Sequence, residues 1–246
     1  MQPRRARKKQ ASSGNAWVPI ALIGGAAMIV VVVVVIVSNI VGSSGSSLPI
    51  VMPGPTHSAP QSDATAGQDS APATLVEYFR FDCSHCADFT LNTAPNIEQD
   101  YVDTGKLRII FHPLGLVASG DVLTASEAAL CAGEQNHYWD YHDLVFANFS
   151  TTNPYSTDHL NQYAKDLGLD TNAFNSCLDS GKYKDQIVND TNSDISAGIN
   201  STPTFYLGKT SVINSESAPF PGATQILGAQ PYSVFKTDID KVLAGQ

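Results

Sequence analysis

The chain has 246 residues and a formal net charge of -9 at pH 7, so it is long enough for one sizeable domain with appendages. Its charge is uneven, because five basic side chains lie within the first ten positions, whereas residues 74–246 carry nine basic and twenty-one acidic ones. Such an acidic region repels phosphate backbones, which excludes nucleic acid as the partner. The four cysteines fit two disulfides in an oxidising compartment.

The N-terminal part predicts a membrane anchor. A basic tail at residues 1–16 precedes an apolar, valine-rich run at 17–41, which as a helix would span roughly 37 Å and so cross a bilayer core of about 30 Å. The positive-inside rule places the tail in the cytoplasm and the rest of the chain outside the cell membrane. A cleaved signal peptide is the alternative, but its apolar core is normally about 7–15 residues long.

Residues 42–73 are rich in Gly, Ser, Pro, Ala and Thr and lack hydrophobic periodicity. This composition predicts a flexible linker that holds the following domain away from the membrane. His57 within it is interpreted as a solvated side chain.

A Cys-x-x-Cys motif follows the first predicted strand, residues 74–81. Cys83, Ser84, His85 and Cys86 stand where that strand gives way to a predicted helix. Free N–H groups and the dipole at a helix start favour an anion, so we expect a low pKa and nucleophilic character for Cys83, supported by His85. We expect Cys86 to lie one turn inside the helix. The alternative, half of a zinc site, needs further Cys or His ligands at short spacing, and Cys131 and Cys177 stand alone.

The rest of the chain alternates between strand and helix patterns. A strand at 107–112 completes a parallel β-α-β unit, in which Pro95 kinks or ends the first part of the helix. Helical patterns then occupy most of about 117–199 and predict an inserted helical subdomain. The remaining predicted elements are helices at 121–135, 137–149, 157–167, 170–178, 182–199 and 231–243, and strands at 204–207, 211–214 and 225–228.

These features together resemble the DsbA-like family of extracytoplasmic thiol-disulfide oxidoreductases, of the thioredoxin superfamily. The resemblance covers about residues 74–245 and depends on the co-occurrence of the Cys-x-x-Cys motif with Thr202-Pro203 ahead of a strand. It implies an α/β fold: a thioredoxin fold at 74–246 with an inserted α-helical subdomain, preceded here by one transmembrane helix and a flexible linker. Ser84 departs from the proline that many relatives have there, which leaves the strength of the oxidant open.

The resemblance also implies roles for individual residues. Cys83 matches the nucleophile and Cys86 its buried partner, and together they form the redox-active disulfide. Pro203 matches a cis-proline that turns the backbone of Thr202 toward the sulfurs. Glu77 matches a buried acid that exchanges a proton with Cys86; the alternative is a glutamate at a sheet edge that reaches water.

Cys131 and Cys177 both fall on predicted helices of the insertion, and some DsbA-like proteins look similar here. We expect a structural disulfide between them, with two separate buried thiols as the alternative. A loop of this length would contribute about 3–4 kcal/mol to stability.

No cofactor or metal is expected. Acidic and histidine side chains in and just before the predicted helix at 137–149 suggest a metal site, but His137 and His142 are too far apart around a helix to share a ligand face. They are better explained as solvated polar positions between aromatic residues. The full set is Glu134, His137, Asp140, His142 and Asp143.

The resemblance predicts an enzyme that introduces disulfides into exported proteins with free thiols. A membrane quinone-linked reoxidase, of the DsbB or vitamin K epoxide reductase type, would restore its disulfide. Two alternatives remain open: a thiol reductase or disulfide isomerase on the same fold, and a membrane-tethered, non-enzymatic interaction module with structural disulfides.

Overall fold

The structure is a computed structural model and describes residues 57, 59–62, 64–115, 120–213, 218 and 220–245. The predicted tail 1–16, the predicted membrane segment 17–41 and the first part of the predicted linker, 42–56, lie outside these residues. Among the helices of the described part, none combines the length and the apolar character that a bilayer crossing needs.

A mixed β-sheet forms the centre of the described domain. Its third strand runs parallel to the fourth, as the predicted β-α-β unit requires. The third strand runs antiparallel to the fifth. The strand order is β1-β2-β4-β3-β5-β6. The strands are β1 Gln61–Ser62, β2 Thr65–Ala66, β3 Ala73–Phe79, β4 Leu107–Pro113, β5 Thr204–Lys209 and β6 Thr224–Leu227.

The strand that leads into the Cys-x-x-Cys motif, β3, lies in the middle of the sheet and is buried along its whole length. Leu75 and Phe79 belong to the larger apolar core, whereas Val76 and Tyr78 belong to a smaller core formed with Ile199 and other residues. Because both faces of β3 are covered, the sheet holds the end of this strand firmly in place.

The linker prediction is wrong for residues 61–62 and 64–66. Gln61–Ser62 and Thr65–Ala66 pair with each other and extend the edge of β4. The backbone N–H of Phe111 also donates to the carbonyl of Ala64, at 2.8 Å. Strand addition of this kind depends on backbone hydrogen bonds, so a short polar sequence without hydrophobic periodicity can form it.

One long helical segment follows Cys83 and contains two π-helical turns. It consists of α1 Ser84–Asp88, a π-helical turn Phe89–Thr93, α2 Ala94–Ile97 and a second π-helical turn Glu98–Val102. Pro95 lies in the first turn of α2, where a missing N–H group is tolerated. The chain stays helical to Val102, and the first part of the segment ends at Thr93, just before Pro95, as predicted.

Within the described residues, five helices lie between β4 and β5 and form the predicted insertion, and a last helix packs on the sheet. They are α3 Gly120–Gly133, α4 Tyr138–Ala147, α5 Thr157–Asp166, α6 Thr171–Asp179, α7 Lys184–Ser196 and the C-terminal α8 Tyr232–Leu243. Asp170 caps α6, with its carboxylate accepting from the N–H groups of Asn172 and Ala173. The strand expected at 211–214 is absent from its described residues, 211–213, which form a turn.

Candidate active site

The reactive sulfur sits where β3 ends and the helical segment begins. Cys83 is the N-cap of α1, and its Sγ accepts a hydrogen bond from the backbone N–H of Cys86 at 3.3 Å. A hydrogen bond from the Cys86 thiol is the largest effect that lowers the pKa of Cys83, to about 5, with help from the Thr202 side chain and against the opposing effect of partial burial. Cys83 is therefore a thiolate at neutral pH, which is the nucleophilic form.

The second cysteine of the motif has the opposite environment. Cys86 is completely buried, whereas Cys83 is partly exposed. Burial raises the pKa of Cys86 far above that of a free thiol, and the thiolate of Cys83 and the carboxyl of Glu77 add to the effect. The two sulfurs are thus a surface anion and a buried neutral thiol.

The loop before β5 closes the site from the other side. The peptide bond between Thr202 and Pro203 is cis, as the sequence predicts. The Cys83 Sγ lies 3.4 Å from the carbonyl oxygen of Thr202, which accepts a hydrogen bond from the thiol form. The fold thereby brings together residues that are 119 positions apart.

Glu77 lies below the cysteines on the central strand. It is 1% exposed, so the alternative of a glutamate at a sheet edge is wrong. Burial raises the pKa of Glu77 well above its ordinary value, and the negative charges of Asp143, Cys83 and Glu98 raise it further. Among the described residues, its Oε1 atom has no hydrogen-bond partner. Its environment therefore favours the protonated form of the carboxyl over the carboxylate.

His85 is exposed between the two cysteines. Its backbone N–H is one of the groups that stabilise the Cys83 thiolate. Stabilisation of the Cys83 thiolate by the His85 imidazole remains a prediction. The structure thus brings Cys83, Cys86, His85, Thr202 and Pro203 together at the surface, with Glu77 beneath them.

Sequence reasoning missed a buried ionic cluster next to this site. The His57 Nε2 atom lies 2.9 Å from Asp143 Oδ2, and its Nδ1 atom lies 3.3 Å from Glu98 Oε2. The side chain of His57 is only 3% exposed, so its interpretation as a solvated residue is wrong. The interpretation of His142 and Asp143 as solvated positions is also wrong, because each residue is 1% exposed. The position of His142 and Asp143 in a helix rich in aromatic residues is the sequence signal that could have indicated their burial.

This cluster also bears on metal binding. His57, Glu98 and Asp143 place one potential ligand atom each within 4.8 Å of one another. Both ring nitrogens of His57 already face a carboxylate, so a protonated imidazole can donate a hydrogen bond to each and offsets one of the two negative charges without an ion. We therefore describe the three residues as an ion triad.

The remaining two cysteines form the expected disulfide, between Cys131 on α3 and Cys177 on α6. It joins two helices of the insertion and closes a sequence separation of 46 residues. The alternative of two separate thiols is wrong. The bond lies outside the Cys-x-x-Cys motif, which fits a structural role.

A sequence model of a family described as Thioredoxin matches residues 60–220, well over half of the chain. The chain belongs to this thioredoxin family. The match begins at residue 60, within the range predicted as a linker, and therefore includes the two short strands β1 and β2.

Several known proteins are similar to this thioredoxin-family chain. The Na(+)/H(+) antiporter NhaA of Herminiimonas arsenicoxydans is 32% identical over 171 residues, which are 68% of this chain and 25% of the antiporter. A putative protein-disulfide oxidoreductase of Rickettsia bellii is 27% identical over 135 residues, which are 54% of this chain and 51% of that protein. The chain thus spans about a quarter to a half of the length of these relatives.

A solved structure is also similar over most of the domain. The crystal structure of alpha-DsbA1 from Wolbachia pipientis has 28% sequence identity and a TM-score of 0.64, covering 74% of this chain and 92% of that one. The similarity supports a DsbA-like thioredoxin fold. Two of these three proteins have names of the thiol-disulfide oxidoreductase class.

Proposed function

We propose that this thioredoxin-family chain is an extracytoplasmic thiol-disulfide oxidoreductase that introduces disulfides into exported proteins. The observation that carries the proposal is the difference between the two thiols of the motif: the pKa of Cys83 is lowered to about 5, whereas that of Cys86 is raised by burial. A stabilised thiolate favours the reduced form of the pair, and this makes the disulfide a good oxidant.

The reaction is an exchange of disulfides. A thiolate of the substrate attacks the Cys83 sulfur, so that a mixed disulfide forms and the bond from Cys83 to Cys86 breaks. The Cys86 sulfur takes up a proton, and the buried carboxyl of Glu77, which interacts electrostatically with Cys86, becomes a carboxylate when it donates that proton. A second substrate thiolate then attacks its partner sulfur in the mixed disulfide and releases Cys83 as a thiolate.

The proposed setting follows from the sequence. The basic tail 1–16 and the apolar run 17–41 favour a single-pass anchor in the cell membrane with the N-terminus in the cytoplasm. The disulfide between Cys131 and Cys177 supports an oxidising compartment for the domain. A membrane quinone-linked enzyme of the DsbB or vitamin K epoxide reductase type would reoxidise the Cys83–Cys86 pair.

A thiol-oxidation assay tests the activity. The full-length chain is expected to oxidise a reduced peptide that contains two cysteines, and Cys83→Ala is expected to abolish this reaction because the sulfur that accepts the attack is gone. The double variant Cys131→Ala/Cys177→Ala is the matched control, since it removes the other disulfide, and it is expected to keep the activity. Unchanged oxidation by Cys83→Ala would favour the non-enzymatic interaction module instead.

A further inference from the structure

A short turn at residues 80–83 joins the end of β3 to the redox helix. The backbone N–H of Cys83 donates to the carbonyl of Arg80 at 3.1 Å, which closes the turn. The Arg80 guanidinium in turn donates two hydrogen bonds to the carboxylate of Asp82, at 2.8 and 2.9 Å. The position of the nucleophilic cysteine therefore depends on the conformation of these four residues.

Phe81, in the middle of this turn, is held by the helical insertion. Its ring is completely buried and packs against Phe146 on α4, with ring centroids 5.1 Å apart. Its carbonyl oxygen accepts a hydrogen bond at 2.6 Å from the hydroxyl of Tyr155, which lies 74 positions later in the chain, between α4 and α5. A peptide group is planar, so a bond to its carbonyl fixes the orientation of the whole group that joins Phe81 to Asp82.

The loop that carries Tyr155 has its own network of contacts. Asn153 adopts a φ of 53°, a left-handed conformation that asparagine tolerates better than most residues. Its carbonyl oxygen lies 2.8 Å from the Nδ1 atom of His159 on α5. The hydroxyl of Tyr163, also on α5, donates to the carbonyl of Pro154 at 3.1 Å. These contacts fix the backbone on the N-terminal side of Tyr155, so its hydroxyl reaches the turn from a supported position.

The Tyr155 hydroxyl keeps its proton while Cys83 titrates. Tyr155 is partly buried and packs against the larger apolar core. Burial raises the pKa of its hydroxyl, and the negative charges of Asp82, Tyr163 and Cys83 raise it further. The hydroxyl therefore remains a donor to the turn whether Cys83 is a thiol or a thiolate. Other ionisable groups that interact electrostatically with the Cys83 thiolate include Arg80, Cys86 and Glu77.

We propose that Tyr155 is a positioning residue of the redox site, whose hydroxyl fixes the turn that carries Cys83 and so keeps the sulfur at the helix N-cap. The hydrogen bond from the backbone N–H of Cys86 to that sulfur is 3.3 Å long, and its strength depends on where the backbone of Cys83 lies. Tyr155 acts through this backbone, so the helical insertion contributes to the redox site by supplying the donor. The role rests on the proposed function, because disulfide exchange is the reaction that releases Cys83 as a thiolate.

The variant Tyr155→Phe tests this role, because it removes the hydroxyl and keeps the ring. Without the bond to Phe81 the turn loosens and the Cys83 thiolate loses part of its stabilisation, so we expect the pKa of Cys83 to rise by about half a unit or more. Alkylation of the reduced full-length chain with iodoacetamide measures this shift, since the rate at Cys83 below about pH 5 is expected to fall about threefold relative to the wild type. The equilibrium with glutathione is expected to shift about threefold toward the disulfide, because the reduced form is less stabilised.

The matched control is Tyr163→Phe. It removes the same phenol hydroxyl from the same loop, but the bond that it breaks goes to the carbonyl of Pro154 and not to the turn. We expect this variant to leave both the alkylation profile of Cys83 and the equilibrium with glutathione unchanged. Cys86 is the internal check of folding, because it is completely buried and is expected to stay unmodified in both variants.

Three results would overturn the proposal. The first is a Cys83 profile in Tyr155→Phe that matches the wild type, and the second is an equal shift in Tyr163→Phe. The third is alkylation of Cys86 together with the shift, because a general loosening of the domain would then explain the change. Alkylation needs no protein substrate, so a chain without oxidase activity would still reveal whether Tyr155 positions Cys83, and the two proposals can fail separately.

Discussion

At the scale of single residues, the two thiols of the motif differ because of where they stand on the same helix. Cys83 is the N-cap and receives hydrogen bonds from N–H groups at the helix start, whereas Cys86 lies one turn later inside the apolar core. Unpaired N–H groups stabilise an anion and burial destabilises one. One turn of helix is therefore enough to separate a nucleophile from a leaving group.

The low pKa of Cys83 predicts an unusual pH profile for its alkylation. Only the thiolate reacts, so a pKa of about 5 means that the rate with iodoacetamide stays constant above about pH 6. Below pH 5 we expect the rate to fall about tenfold per pH unit, as the thiolate is protonated. Peptide mass spectrometry of the reduced chain measures the rate at Cys83 and Cys86 separately.

Cys86 provides the internal comparison in that experiment. It is buried and its pKa is raised, so it is expected to stay unmodified while the chain is folded. A rate at Cys83 that climbs between pH 7 and 10, as for an ordinary thiol, would contradict the stabilisation that the structure shows.

The sequence identified the residues of the site that follow a local pattern, and it missed those that depend on distant contacts. Cys83, Cys86 and Thr202-Pro203 belong to short motifs, so their juxtaposition could be predicted. His57 contacts Asp143, which is 86 positions away, and nothing in the surrounding Gly- and Pro-rich sequence signals that contact. His142 and Asp143 were interpreted as solvated positions. The spacing of five residues between His137 and His142 argues against a shared ligand face, but it carries no information about burial.

At the scale of elements, the Cys131–Cys177 disulfide holds α3 against α6 within the inserted helices. A cross-link with this sequence separation restricts the unfolded chain, and the double variant Cys131→Ala/Cys177→Ala is expected to lose about 3–4 kcal/mol of unfolding free energy. Urea denaturation followed by tryptophan fluorescence measures the loss, since Trp139 is buried in the same group of helices.

The control compares the wild-type chain and the double variant under the same reducing conditions, because the Cys83–Cys86 pair is then open in both and the wild type lacks the Cys131–Cys177 bond without a change of side chain. Under these conditions the two chains are expected to have the same stability. If the oxidised wild type were no more stable than the oxidised double variant, the structural role of the disulfide would be contradicted.

The helix after the motif illustrates what a pattern of side chains cannot reveal. The sequence predicts a helix after the motif, and the chain is indeed helical to Val102. The two π-helical turns are set by which carbonyl each N–H reaches, and the sequence carries no clear signal for that choice. Pro95 lies at the start of α2, directly after the first π-helical turn.

At the scale of the whole molecule, the parallel pair β3 and β4, the helical insertion and the antiparallel β5 and β6 follow the order predicted from the sequence. The two strands ahead of β3 do not, because they join the sheet through backbone pairing and not through apolar side chains. The segment predicted as a passive linker therefore completes the sheet edge and supplies His57 to the buried triad. The position of the domain outside the membrane remains a prediction of the N-terminal sequence.

The reduction potential of the Cys83–Cys86 pair tests the central claim most directly. It is measured by equilibrating the full-length chain with glutathione buffers and quantifying the two thiols by mass spectrometry. A stabilised Cys83 thiolate predicts a value well above that of thioredoxin, about −270 mV, and toward that of DsbA, about −120 mV. A value at or below about −270 mV would contradict the oxidase and favour a thiol reductase on the same fold.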